Sequence, residues 1–132
     1  MPICDCVSMD KRRLTVVYAD DDDLVRKAIG ELLLFEGLDV HVCANGADAL
    51  HLCGLLDPDA VLLDLNMPGV DGLEVARKLR NHDDRRLWLV AFTGKGTAEL
   101  RKEAMDAGFD EFLTKPVRTQ VLVDALRRSE SR

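Results

Sequence analysis

Ala60-Val61-Leu62-Leu63-Asp64-Leu65-Asn66-Met67-Pro68-Gly69 runs four apolar residues, without alternation, into an aspartate and then a proline-glycine turn. A strand buried on both faces reads this way, and such strands belong to the middle of parallel sheets. Leu87-Trp88-Leu89-Val90-Ala91-Phe92 repeats the pattern and ends at Thr93. Upstream, Leu14 to Ala19 is a β-rich run closed by Asp20 to Asp23, with helix-capping candidates among the four aspartates. Leu38 to Cys43 alternates strictly, as a strand with one wetted face does at a sheet edge. Glu111-Phe112-Leu113 is a brief strand before Lys115-Pro116.

Helix-period segments fill the gaps. The first carries Leu24, Val25, Ala28, Ile29, Leu32, Leu33 and Phe35, with Gly37 placed to end it. The second follows Asn45-Gly46 and closes near Asp57-Pro58, and the third runs through Leu73, Val75, Ala76 and Leu79. A more polar fourth spans about Thr97 to Ala107, with Leu100, Ala104 and Met105 on one side, and Val117 to Leu126 form the last. Five strands alternating with five helices predict an α/β fold, a doubly wound parallel sheet with helices on both faces.

The chain has 132 residues, enough for one domain, predicted over 14–128 between a flexible tail at 1–13 and a frayed end at 129–132. Its net charge of −6 offers no cation surplus for phosphate backbones, so direct nucleic-acid binding is not expected. No stretch is long and apolar enough for membrane insertion. Cys43 and Cys53 lie in apolar runs and read as buried thiols; Cys4 and Cys6 form a lone pair in the tail. A reducing, cytoplasmic setting is the simplest expectation.

The chemistry-bearing residues fall just after the strands: Asp20 and Asp21, Asp64, Thr93 and Lys115. Ligands of open parallel sheets bind at the carboxyl ends of the strands, where the winding direction reverses. Converging carboxylates repel unless a cation joins them, and a hard divalent ion such as Mg²⁺ suits oxygen donors. A carboxylate beside such an ion can act as a nucleophile towards phosphorus, with Lys115 and Thr93 placed to stabilise the transferred oxygens.

In these residues, together with Asp71-Gly72, Phe92-Thr93-Gly94, Ala107-Gly108-Phe109-Asp110 and Lys115-Pro116, the sequence resembles the receiver domains of two-component response regulators. The resemblance implies a flavodoxin-like sheet of order 2-1-3-4-5, with Asp64 as phosphoacceptor. It further implies Mg²⁺ held by Asp21 and Asp64 directly, by Asp20 mainly through water, and by the Asn66 backbone carbonyl. Thr93 and Lys115 would bind phosphoryl oxygens, Thr93 and Phe112 would act as the switch pair, and the Lys115-Pro116 bond would be cis. A histidine kinase or histidine phosphotransfer protein would be the donor. The surface of the fourth helix, fifth strand and last helix would signal to a downstream protein, the chain being a monomer or a phosphorylation-linked dimer. The only chemistry expected is the chain's own phosphorylation and dephosphorylation, not turnover as an enzyme.

Two departures stand out: Asp23 occupies a place where many relatives have proline, and Phe112 one where tyrosine is also common. An aspartyl-nucleophile phosphohydrolase is the enzymatic alternative, but it needs an acid/base aspartate where Asn66 stands. A receiver that has lost phosphorylation is the second alternative, opposed by the complete acidic, threonine and lysine set. Since only 129–132 follow the last helix, the stretch reads as a single-domain regulator or as part of a longer protein such as a hybrid kinase.

Overall fold

The computed structural model describes residues 13–82 and 87–131. The tail predicted at the N-terminus, with Cys4 and Cys6, lies outside the described residues except for Arg13. Strands β1 (Thr15–Ala19), β2 (Asp39–Cys43), β3 (Ala60–Leu63), β4 (Trp88–Thr93) and β5 (Glu111–Thr114) form one parallel sheet. Their order is β2-β1-β3-β4-β5, which is the predicted flavodoxin-like order. All four residues of β3 are buried, whereas β2 is at the sheet edge as predicted but does not alternate in burial: it is half-buried along most of its length and Val42, expected on the covered face, is 46% exposed. From β1 the chain steps outward to β2 and then crosses back to β3, so the winding reverses between β1 and β3.

Helices α1 (Asp23–Phe35), α2 (Gly46–Leu56), α3 (Gly72–His82), α4 (Ala98–Ala107) and α5 (Thr119–Arg127) divide between the two faces of the sheet. Side chains alternate along a strand, so each strand feeds both faces. Val17, Ala19, Val61, Leu63, Leu89 and Ala91 meet α2, α3 and α4 through Ala49, Val75, Ala76, Ala104 and Ala107. Val16, Tyr18, Leu62, Val90 and Phe92 meet α1 and α5 through Leu33, Leu122, Ala125 and Leu126. Each fully buried valine or leucine stabilises by roughly 1.5–3 kcal/mol, so layer packing rather than helix propensity holds these short helices.

Side-chain caps mark the helix starts other than that of α5. Asp22 accepts from the amides of Leu24 and Val25, Asn45 from Asp48 and Thr97 from Leu100. Gly108, at φ +112, ends α4 in the left-handed conformation that glycine adopts without Cβ strain.

The structure narrows some apolar stripes. Leu24 is 81% and Phe35 87% exposed, because α1 turns only its Ile29 and Leu33 side fully towards the sheet. Met105 is 42% exposed, lying one 100° step off the line of Leu100, Ala104 and Ala107. Cys43 is half-buried rather than buried, whereas Cys53 is buried as expected. Beyond α5 the chain winds into a 3₁₀ turn over Arg128–Ser131, with Ser129 half-buried, where fraying was expected. No helix among the described residues is long and apolar enough to cross a membrane.

Candidate functional site

Backbone hydrogen bonds deliver the site residues to one rim of the sheet. The Asp20 amide donates to Cys43 O at 3.1 Å, the Asp64 amide to Ala19 O at 3.0 Å, and the Lys115 amide to Thr93 O at 2.7 Å. β1, β3 and β5 therefore each end with a ladder bond fixing the residue that follows. The Lys115-Pro116 peptide is cis, as the resemblance implied.

At this rim, carboxylate oxygens of Asp20, Asp21 and Asp64 lie within 4.8 Å of one another. Asp20 and Asp64 are buried and Asp21 is exposed, so the cluster opens to solvent on the Asp21 side. Lys115 Nζ stands 3.0 Å from Asp20 Oδ2 and 3.5 Å from Asp64 Oδ2. Three carboxylates against this one ammonium leave two negative charges uncompensated within the cluster. That deficit, with all-oxygen donors, fits a hard divalent cation such as Mg²⁺ better than a soft metal. Burial pushes the Asp64 carboxyl up to about 6; the Asn66 amide and Lys115 oppose the rise, and the Asp20 charge adds to it.

The two buried aspartates share a local geometry. Asp20 Oδ1 accepts from the Asp22 amide and Asp64 Oδ1 from the Asn66 amide, each at 3.0 Å and each two residues on. These bonds hold both carboxylates back against their own loops. Asn66 itself is exposed beside the site, with the Lys95 side chain exposed on the next loop. Thr93 is fully buried, and its Oγ1 accepts from the Lys95 amide at 3.2 Å. Leu63 pairs with Ala91, so Asp64 and Thr93 leave neighbouring strands within a residue of each other.

Residues 16–127 match the family model described as the response regulator receiver domain. The chain belongs to this family. It is 38% identical over 112 residues to the response regulator MprA of Mycobacterium sp. strain KMS, covering 85% of this chain and 48% of that protein. The chain thus spans about half the length of the curated relatives it matches. A Francisella response regulator receiver domain superposes with TM-score 0.84 at 26% identity, covering 91% of this chain and 98% of that one. The receiver domain of a sensor histidine kinase from Pseudomonas aeruginosa gives TM-score 0.83 at 25% identity, covering 91% and 99%. That structure carries a magnesium ion coordinated in its active-site cleft.

Within this receiver domain, Phe112 lies on the edge strand β5, half-buried rather than fully in the core. It packs against the α2–α3–α4 core, with the Arg101 guanidinium 5.6 Å above its ring. Three residues to which the sequence assigns no part in the site also shape it. Tyr18 is fully buried, and its hydroxyl donates to Asp20 Oδ2 at 2.8 Å. Arg26 donates to the Asp20 backbone carbonyl at 2.8 Å and pairs with Asp23. Phe92 presents its ring 5.1 Å from Lys115 Nζ. One signal was available: Tyr18 is the chain's single tyrosine, set in an otherwise aliphatic run two residues before Asp20.

Proposed function

We propose that this receiver domain accepts a phosphoryl group on Asp64 from a phosphohistidine of a kinase or phosphotransfer protein, and signals through a changed surface. The observation that carries the reading is the buried, crowded carboxylate of Asp64, flanked by Asp20 and Asp21 and reached by Lys115. An Asp64 carboxylate oxygen forms the new P–O bond as the donor's P–N bond breaks, the bonding pair leaving with the imidazole. Asp20, Asp21, Asp64 and the Asn66 carbonyl are the groups that would hold Mg²⁺, with Asp20 acting mainly through water. The ion, when bound, neutralises charge on the transferred oxygens. Lys115 supplies a fixed positive charge beside Asp64, and Thr93 a hydroxyl. Hydrolysis of the aspartyl phosphate returns the carboxylate, so the chain works on itself rather than turning over a substrate.

Output would pass through α4, β5 and α5, with Phe112 coupling Thr93 to that surface as the second half of the switch. Without a tyrosine hydroxyl, Phe112 would signal by shape alone.

The test is labelling of the full chain by a small-molecule phosphodonor. Wild type should gain an acid-stable, base-labile phosphoryl group that requires Mg²⁺ and is absent in Asp64→Asn. A folded wild-type chain that takes no label in Mg²⁺ would overturn the reading, and steady turnover of phosphomonoesters would favour a hydrolase.

A further inference from the structure

Tyr18 closes a ring of contacts beneath the carboxylate cluster. Its ring lies 6.5 Å from that of Phe92, tilted by 55°. Phe92 lies 5.1 Å from Lys115 Nζ, Lys115 Nζ 3.0 Å from Asp20 Oδ2, and Asp20 Oδ2 2.8 Å from the Tyr18 hydroxyl. Tyr18, Phe92 and Asp20 are all buried, so water does not compete freely for these partners.

Counting acceptor positions shows what the hydroxyl does. An ionised carboxylate offers about two lone pairs on each oxygen. On Asp20, Oδ2 takes both the Tyr18 hydroxyl and the Lys115 ammonium and is filled. Oδ1 takes the Asp22 amide and keeps one position open. Asp20 thus keeps one of about four acceptor positions for a cation or a bridging water, whereas Asp21 is exposed and makes no such buried bonds among the described residues. The phenol also shares the charge of Oδ2 with Lys115. Without it, the buried oxygen would draw the ammonium closer, away from Asp64 at 3.5 Å.

We infer that Tyr18 is a positioning residue of the phosphorylation site: by filling one acceptor position on Asp20 it weakens Asp20 as a cation ligand and keeps Lys115 available to the group carried on Asp64. This deepens the proposed function and rests on it. The consequence is a trade, in which Mg²⁺ affinity is given up for faster acceptance of the phosphoryl group. A residue that merely filled the core would move both quantities in the same direction, or neither.

Tyr18→Phe tests this, because it keeps the ring and removes the hydroxyl. On the full chain, the Mg²⁺ Kd is measured by titration calorimetry without any phosphodonor, and the labelling rate is measured separately at saturating Mg²⁺. The variant should bind Mg²⁺ about fivefold more tightly and label about fivefold more slowly, within the reach of one hydrogen bond to a charged group. In an Asp20→Asn background the same substitution should leave Mg²⁺ affinity unchanged, since the effect travels through Asp20. Unchanged affinity and rate in Tyr18→Phe would overturn the inference while leaving phosphorylation at Asp64 intact, and so would weaker Mg²⁺ binding. If wild type neither bound Mg²⁺ nor took label, the proposed function itself would fall. Should Tyr18→Phe unfold, Tyr18→Leu supplies a second hydroxyl-free variant for the same two measurements.

Discussion

Asp64 is held where its charge costs the fold something. Burial above all pushes its carboxyl up from the ordinary 3.8 to about 6. A folded-state value raised above the unfolded one gives stability that is complete below about pH 4 and fades as pH climbs through about 6. The metal-free wild type is therefore less stable at pH 7.5 than at pH 4.5 by a contribution on the order of 2 kcal/mol from this group. Asn cannot ionise, so Asp64→Asn should escape the loss. Urea midpoints in EDTA should show the variant gaining on wild type as pH rises from 4.5 to 7.5. A difference that stays flat across that range would mean the Asp64 charge is already compensated without metal. A site that destabilises its own fold in this way is primed for a cation, since ligand binding relieves the same repulsion.

At the scale of the elements, the rim is fixed by contacts far from the chemistry. Gly72 begins α3 so close to the end of β3 that a Cβ there would meet the Asp64 carbonyl at 2.5 Å, which is why glycine stands there. Arg80, near the end of α3, donates from Nε and Nη2 to Gly108 O, from Nη1 to Leu87 O, and from Nη2 to Asp110 Oδ2. One guanidinium thus ties α3 to the start of β4, the end of α4 and the turn before β5. Arg80→Ala takes the guanidinium from those part-buried carbonyls and leaves Asp110 with only the Leu89 amide, and should cost about 3 kcal/mol by denaturant unfolding. Arg80→Lys should recover less than half of that, because an ammonium lacks the planar fork. Equal stability of the Lys variant and wild type would show that charge alone suffices. Much of this level was legible in the sequence. The unbroken run at Ala60 to Leu63 marked the central strand, the alternation of Leu38 to Cys43 marked the edge, and the residues ending strands marked the rim. The Arg80 tie was not legible, since its partners sit 7, 28 and 30 residues away and no local period links them. Tyr18 was hidden for a related reason: in a strand-forming run a tyrosine reads as core, and only the fold shows that its hydroxyl ends at Asp20.

On the scale of the whole molecule, the sheet makes one cooperative unit of two apolar cores. Every central strand sends alternate side chains into both, so neither core can dissolve while the strands stay paired. Trp88, the chain's single tryptophan, reports on this from the end of β4 opposite the carboxylates, its indole donating to Ala125 O at 2.8 Å. Unfolding followed by Trp88 fluorescence and by far-ultraviolet circular dichroism should therefore give coincident transitions. Mg²⁺ at a hundred times its Kd should raise the unfolding free energy by about 2.7 kcal/mol if it binds only the folded chain. Both probes should then shift by the same amount, although Trp88 lies a strand's length from the proposed ligands. The folded-state emission of Trp88 should stay unchanged by the ion, because buried strand residues separate the two ends of the sheet. If Mg²⁺ moved the dichroism midpoint but not the fluorescence midpoint, the rim would be unfolding separately from the α1–α5 face. The sheet would then fail as the element that joins the site to the rest of the fold.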